Sequence, residues 1–203
     1  EMLEMAINDV RNANKMGCKV IREQYLLSPS GLCRLAPYAE AYNVKVGIEI
    51  HNPETPNTPI MREYLEAIKA SGSKYIGFVP DFGLFATKPN KPNWDQALQN
   101  GAKLRLLEMA RDMRYAEVPV EEAQKKLLAE GATQVEMASL QAMYAFLQFR
   151  KDCNKELEGL KEIMPYCFHM HGKFHYLSED FVEASIPYDQ ILKVVKESDY
   201  NGY

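Results

Sequence analysis

Three short runs rich in β-branched residues, at intervals of about 30 residues, dominate the first 83 positions, and each follows a helical pattern. The first run is Cys18-Lys19-Val20-Ile21-Arg22. The second, Val44-Lys45-Val46-Gly47-Ile48-Glu49-Ile50-His51, is the clearest strand in the chain. The third is Tyr75-Ile76-Gly77-Phe78-Val79, closed by Pro80-Asp81-Phe82-Gly83. Helices precede them at Glu1 to Lys15, Leu32 to Tyr42 and from Thr58-Pro59 to about Ala70, with breaks at Gly17 and Ser71-Gly72-Ser73. Connections this short, with helix and strand alternating, require parallel strands and exclude an antiparallel meander.

The alternation lapses between residues 84 and 166, where helical patterns prevail. Asn93 with Gln96 reads as a helix start, a second helix follows Pro119 and stops at Gly131, and Thr133 with Glu136 forms a capping box that opens a long helix to about Met164. A fourth strand is expected over Tyr166 to Phe174, then a helix from Pro187 to about Ser198. The arithmetic narrows the architecture. Setting aside roughly 80 helical residues leaves about 120 of the 203, enough for four βα units of about 30 residues. A full (β/α)₈ barrel needs about 250. Half a barrel with a helical insertion, or a small doubly wound sheet, both fit. The chain opens within a helix and stops at a turn, so a piece of a longer protein is expected.

Composition removes other classes. Hydrophobic residues make up 46% and charged residues 26%, with a formal net charge of −4, which argues against a general nucleic-acid binder. No apolar run reaches the length needed to cross a bilayer. The four cysteines lack CxxC spacing and read as reduced thiols of a cytoplasmic protein. No Gly-rich phosphate loop follows a strand. Asp81-Phe82-Gly83 lacks the companions of a kinase site. The stretch from Met137 to Phe149 reads as core or interface, and the charges from Arg111 to Lys126 as a solvated face.

The chemistry gathers at strand ends. Alternate residues share a strand face, which groups Lys45, Gly47, Glu49 and His51; then Tyr75, Gly77, Val79 and Asp81; then His169, His171 and Lys173. A parallel barrel builds its active site at the C-terminal strand ends, where Glu49, Asp81 and His171 fall, each on a different strand. Each alone has an ordinary explanation: a solvated carboxylate, a turn residue, a packed ring. Together, one imidazole and two carboxylates suit a divalent cation of the Mn, Mg, Co, Fe or Zn group. His169 and His171 lie too far apart along a regular strand to bind one ion together. His171, nearer the strand end, is the expected ligand, and His169 the residue below it.

In their order, Gly-Ile-Glu-Ile-His (47–51), Val-Pro-Asp-Phe-Gly (79–83) and His-Met-His-Gly-Lys (169–173) resemble the xylose-isomerase-like TIM-barrel family, the sugar phosphate isomerases and epimerases. The resemblance implies that this chain carries about strands four to seven of a barrel, with residues 84–166 inserted between strands six and seven. It implies a divalent metal on Glu49, Asp81 and His171, and a fourth ligand, a glutamate, beyond Tyr203. The implied activity is isomerisation or epimerisation of a small-molecule sugar. Glu49, His51 and Lys173 would be the catalytic residues, and His51, His169 and Lys173 would contact substrate. The pairing of Glu-Ile-His with Pro-Asp-Phe-Gly-Leu-Phe also looks like the branch that includes large subunits of bacterial C-glycoside deglycosidases. There a histidine like His51 serves as acid–base in cleaving 3-oxo-C-glucosides. A homo- or hetero-oligomer is expected, and a non-catalytic sugar-binding or regulatory subunit is the rival reading.

Overall fold

The computed structural model describes residues 1–202. Helix α1 (Met2–Lys15) leads through Gly17, at φ +79°, into strand β1 (Val20–Glu23). Helix α2 (Pro29–Ala41) follows, capped by the Ser28 hydroxyl, which accepts from the Gly31 amide; then come β2 (Lys45–Ile50), α3 (Pro59–Ser71) and β3 (Ile76–Pro80). The strands pair in parallel in the order β1-β2-β3, with Arg22 beside Gly47 and Glu49 beside Val79. The strands thus lie in sequential order, with α1 packed on α2 and α2 on α3 beside them, in a parallel α/β arrangement.

Burial divides the two faces. Val46, Ile48 and Ile50 have no exposed surface and belong to one core with Leu32, Leu35 and Ala39 of α2 and Met61, Leu65 and Ile68 of α3. Each such side chain contributes about 1.5–3 kcal/mol by leaving water. The alternating residues Gly47, Glu49 and Gly77 face the other side. A Cβ on Gly47 would stand 2.6 Å from Val79 Cγ2, and one on Gly77 2.1 Å from the Tyr166 carbonyl oxygen. Gly77 lets the next segment of chain lie directly on that face, and Gly47 makes room for the Val79 side chain.

That segment corrects two expectations. Among the described residues there are three strands, not four. Residues 166–174 form no continuous strand: they meet β3 only through bridges at Phe78↔Cys167 and Asp81↔His171. The chain advances four residues between those bridges while β3 advances three, so one extra residue interrupts the ladder as a bulge does. His171 is nevertheless fixed at both backbone groups: its amide donates to the Pro80 carbonyl and its carbonyl accepts from the Phe82 amide, each at 3.0 Å.

Five helices lie between β3 and this segment: α4 (Lys91–Gln99), α5 (Leu104–Tyr115), α6 (Val120–Ala129), α7 (Gln134–Tyr144) and α8 (Asn154–Ile163). The Thr133–Glu136 capping box is present. The helix expected to run on to Met164 breaks instead at Ala145, whose φ/ψ of −108°/−91° leaves the helical region. The break lets Phe149 bury fully, with its ring 5.2 Å from Tyr115, a contact no local pattern announces. The cap expected at Asn93 belongs to Asn90, whose side chain accepts from the Asn93 amide; Pro92 is tolerated in the first turn because its missing N–H needs no partner there. Helix α9 (Tyr188–Lys196) closes the described chain. Among the described residues no helix is long and apolar enough to cross a membrane.

Candidate metal and acid–base site

The C-terminal ends of β1, β2 and β3 and the His171 segment open onto one cleft of about 1220 Å³. Glu49, Asp81 and His171 come together on its wall, and one ligand atom from each lies within 4.8 Å of the others. Donors bonded at about 2.0–2.3 Å to one ion stand at most about 4.6 Å apart, so small side-chain shifts bring all three onto a single ion. Two carboxylate oxygens and one imidazole nitrogen are a donor set that fits Mn, Fe, Co, Zn or Mg.

Glu49 is 3% exposed and fully engaged. Oε1 accepts from Arg22 Nη1 at 3.0 Å and lies 2.9 Å from His171 Nδ1, while Oε2 accepts from Gln24 Nε2 at 2.6 Å. Burial alone would raise its pKa, but the bonds from Gln24 and Arg22 and the Arg22 and His171 charges outweigh it, and the carboxyl is held below its ordinary range. Asp81 Oδ1 accepts from the Gly83 amide at 2.7 Å, and Oδ2 pairs with Lys173 Nζ at 3.1 Å. Each carboxylate already has a cation beside it, so an incoming dication competes with Arg22 for Glu49 and with Lys173 for Asp81.

A second arrangement adjoins the first. Lys173 Nζ is 2.8 Å from His51 Nε2, and His51 Nδ1 is 2.9 Å from the Asn52 carbonyl oxygen. A carbonyl only accepts, so Nδ1 carries the proton, and Nε2 offers a lone pair to the ammonium. His51 is thereby set in the tautomer of a base facing the cleft. His169 does not line the cleft; its ring packs edge-on against His171 with centroids 5.7 Å apart.

Sequence reasoning missed Arg22, Gln24 and Tyr25. Tyr25 donates its hydroxyl to the Glu49 carbonyl at 2.8 Å, and its pKa is pushed up to about 12, chiefly by burial. All three stand at or just past the end of β1, so the strand-end rule that found Glu49 applies to them too.

No family model matches the chain. It is 26% identical over 212 residues to a 3'-dehydrocarminate deglycosidase alpha subunit from a Microbacterium species, covering all of this chain and 61% of that one. A C-glycoside deglycosidase alpha subunit from Microbacterium trichothecenolyticum is 26% identical over 215 residues, covering 100% and 57%. The chain is a homologue of C-glycoside deglycosidase alpha subunits. A third such subunit, from Arthrobacter globiformis, is 27% identical over 198 residues, covering 96% and 55%. Among solved structures, a D-tagatose 3-epimerase-like protein matches with a TM-score of 0.47 and 17% identity, over 98% of this chain and 59% of that one. The chain thus spans a little over half the length of these relatives, and the relatives carry the name of the branch that the pairing of Glu-Ile-His with Pro-Asp-Phe-Gly-Leu-Phe looks like.

Proposed function

We propose that this chain carries the metal-binding and acid–base part of an active site for a keto sugar bearing a carbon-linked group. In the whole protein it works within a (β/α)₈ barrel and beside a partner subunit. The observation that carries the reading is the placement of Glu49, Asp81 and His171 next to the Lys173–His51 pair on one cleft wall. The relatives' names support the substrate class and the partner. Their greater length leaves room for the remaining strands and a fourth ligand.

The residues suit the chemistry of a ketone in a sugar ring, which acidifies the C–H bond on the adjacent carbon. His51 takes that proton at Nε2, and the C–H electron pair becomes the enolate. Lys173 donates a hydrogen bond to the oxygen that gains charge. A divalent ion on Glu49, Asp81 and His171 would supply further electrostatic stabilisation of that charge. The enolate pair then expels the carbon-linked group from the next carbon. The C–C bond breaks, the departing carbon takes the proton back from His51, and an unsaturated keto sugar remains. Arg22 and Gln24 keep the Glu49 carboxylate aimed into the cleft throughout.

Isomerisation or epimerisation of a free keto sugar shares the first proton transfer and the same residues, and one assay separates the readings. The whole protein with its partner subunit is incubated with a 3-oxo-C-glucoside and with a free keto sugar. Release of the carbon-linked group, lost on chelation, restored by Mn²⁺ and lowered at least 100-fold by His51→Asn, is the expected result. An isomer from the free sugar with no release from the glucoside transfers the assignment to isomerisation. Turnover indifferent to exhaustive chelation refutes the metal site. Sugar binding without turnover of either compound makes the chain a binding subunit.

A further inference from the structure

The helices between β3 and the His171 segment form a second cavity, of about 550 Å³, lined wholly from residues 89–147. That volume is in the range of small-molecule pockets. Helix α4 lines it through Asn93, Trp94, Ala97 and Asn100, which share one helix face by their spacing. Helix α7 lines it through Val135, Ala138, Ser139 and Ala142 in the same way. The floor includes Leu107 of α5, which has no exposed surface. Ala97, Ala102 and Leu107 make an apolar cluster apart from the main core, with Trp94 and Val135 packed against it.

Two observations separate this cavity from a gap in packing. The first is the outer side of α7. A surface helix ordinarily turns a charged face outward. The one charge of α7 is Glu136, which is buried in the cap, and with Leu140 and Met143 buried, the small residues Ala138, Ser139 and Ala142 line the cavity. Larger side chains there would fill the space as a packed interior is filled. The second is the chemistry of the lining. It holds no ionisable side chain, although charged residues make up 26% of the chain. Its polar groups are carboxamides, one serine hydroxyl and the Trp94 indole N–H. Asn90 caps α4, and Gln96 Nε2 donates to Asn100 Oδ1 at 3.0 Å. Trp94 Nε1 and the carboxamides of Asn93 and Gln134 have no partner among the described residues.

A charged ligand would lose hydration here and meet no opposite charge. An uncharged one loses little, and its polar edge finds free donors and acceptors. The half-buried Trp94 ring, with only small side chains on the α7 wall, leaves room for another ring. We propose that this cavity binds an uncharged, largely apolar ring compound carrying a carbonyl or hydroxyl group on its edge. The inference is independent of the sugar-site reading, since the two cavities share no residue.

The test is calorimetric titration of the whole protein with 7-methoxycoumarin, which is flat and uncharged, and with 7-methoxycoumarin-3-carboxylate, its anionic counterpart. The neutral compound is expected to bind with Kd on the order of 0.1 mM, and the anion at least about 10-fold more weakly. Ala138→Phe, at an exposed position of the α7 wall, should weaken the neutral compound at least about 10-fold. Ser139→Leu does the same from the next position and serves if Ala138→Phe fails to fold by circular dichroism. Leu128→Ala, at an exposed residue of α6 outside the lining, and His171→Ala should leave binding unchanged. No binding of the neutral compound at about 1 mM, equal binding of the anion, or binding that survives the folded wall variants overturns the proposal. Loss of binding in His171→Ala seats the probe in the sugar cleft and also overturns it. None of these results bears on the metal and acid–base site.

Discussion

Gly83→Ala separates the site from the fold in one atom. A Cβ at residue 83 would lie 2.7 Å from Lys173 Cδ and 2.8 Å from Asp81 Oδ1, against about 3.4 Å for ordinary contact. The two neighbours differ in freedom. Asp81 Oδ1 is held by the Gly83 amide at 2.7 Å, in the short turn Phe82–Phe85 that follows β3. Lys173 Cδ is midway along a flexible stem, so Lys173 yields, and its Nζ leaves both His51 Nε2 and Asp81 Oδ2. Displacing a catalytic group by about 1 Å costs on the order of 100-fold in rate. The lost pair is half-buried, the Asp81 carboxylate being almost fully covered, and costs about 1–3 kcal/mol of stability. Gly83→Ala is therefore expected to lower kcat roughly 30- to 100-fold in the deglycosidation assay, with Tm lowered by no more than about 10 °C. A variant with unchanged kcat would show that Lys173 is not held by the contacts seen beside Gly83. A collapse in Tm would show that the turn, not the lysine, absorbs the methyl group.

Other substitutions probe separate parts of the structure. His171→Ala should abolish retention of metal after dialysis, whereas His169→Ala, removing only the ring packed against His171, should weaken it about 10- to 100-fold at most; metal analysis ranks the two. Glu23 is buried with Oε2 unpartnered, and burial raises its pKa above the ordinary carboxylate value. Stability from this group is therefore present at low pH and falls as pH rises through the raised value, so Glu23→Gln should gain about 1 kcal/mol at pH 8 and nothing at pH 4, read by urea denaturation. Glu136 behaves oppositely: burial opposes its charge, but the amides of Lys103 and Thr133 and the Thr133 hydroxyl hold its pKa down at about 2. Glu136→Ala should cost about 2–3 kcal/mol at pH 7, and the deficit should shrink as pH drops from about 4.5 towards 2, followed by the same method.

Residues that act through local pattern were legible. Lys45–Ile50 alternates as a strand must, and the Thr133–Glu136 box uses side chains three positions apart. The strand-end rule, applied to β2, β3 and the His171 segment, picked out residues that the fold gathers on one wall. What escaped depends on chain segments meeting from afar. Arg22 and Gln24 reach Glu49 across 27 and 25 residues, and nothing in either residue's neighbourhood announces the pairing. The break at Ala145 accompanies the packing of Phe149 on Tyr115, a contact between stretches that share no local periodicity. The His171 segment carries a strand-like pattern, yet the extra residue between its two bridges leaves it short of a continuous ladder. Its alternation put His169, His171 and Lys173 on one face, and the structure brings His171 and Lys173 to the cleft but not His169.

That extra residue bears on how such a chain can change. His171 takes its position from Pro80, the last residue of β3, and from Phe82 in the turn after it. The four helices α4 to α7 make an excursion that leaves after Phe85 and returns before Cys167, and the bulge absorbs mismatch where the chain rejoins the sheet. The excursion is still bound to the rest: Leu106, Leu127, Leu140 and Phe149 share one core with the sheet, and Thr87 and Pro89 bond Ser185. A shorter crossover would therefore have to begin after Pro89 and bring its own apolar cover for that core. Given both, the length of this region could change with Glu49, Asp81 and His171 left in their mutual positions.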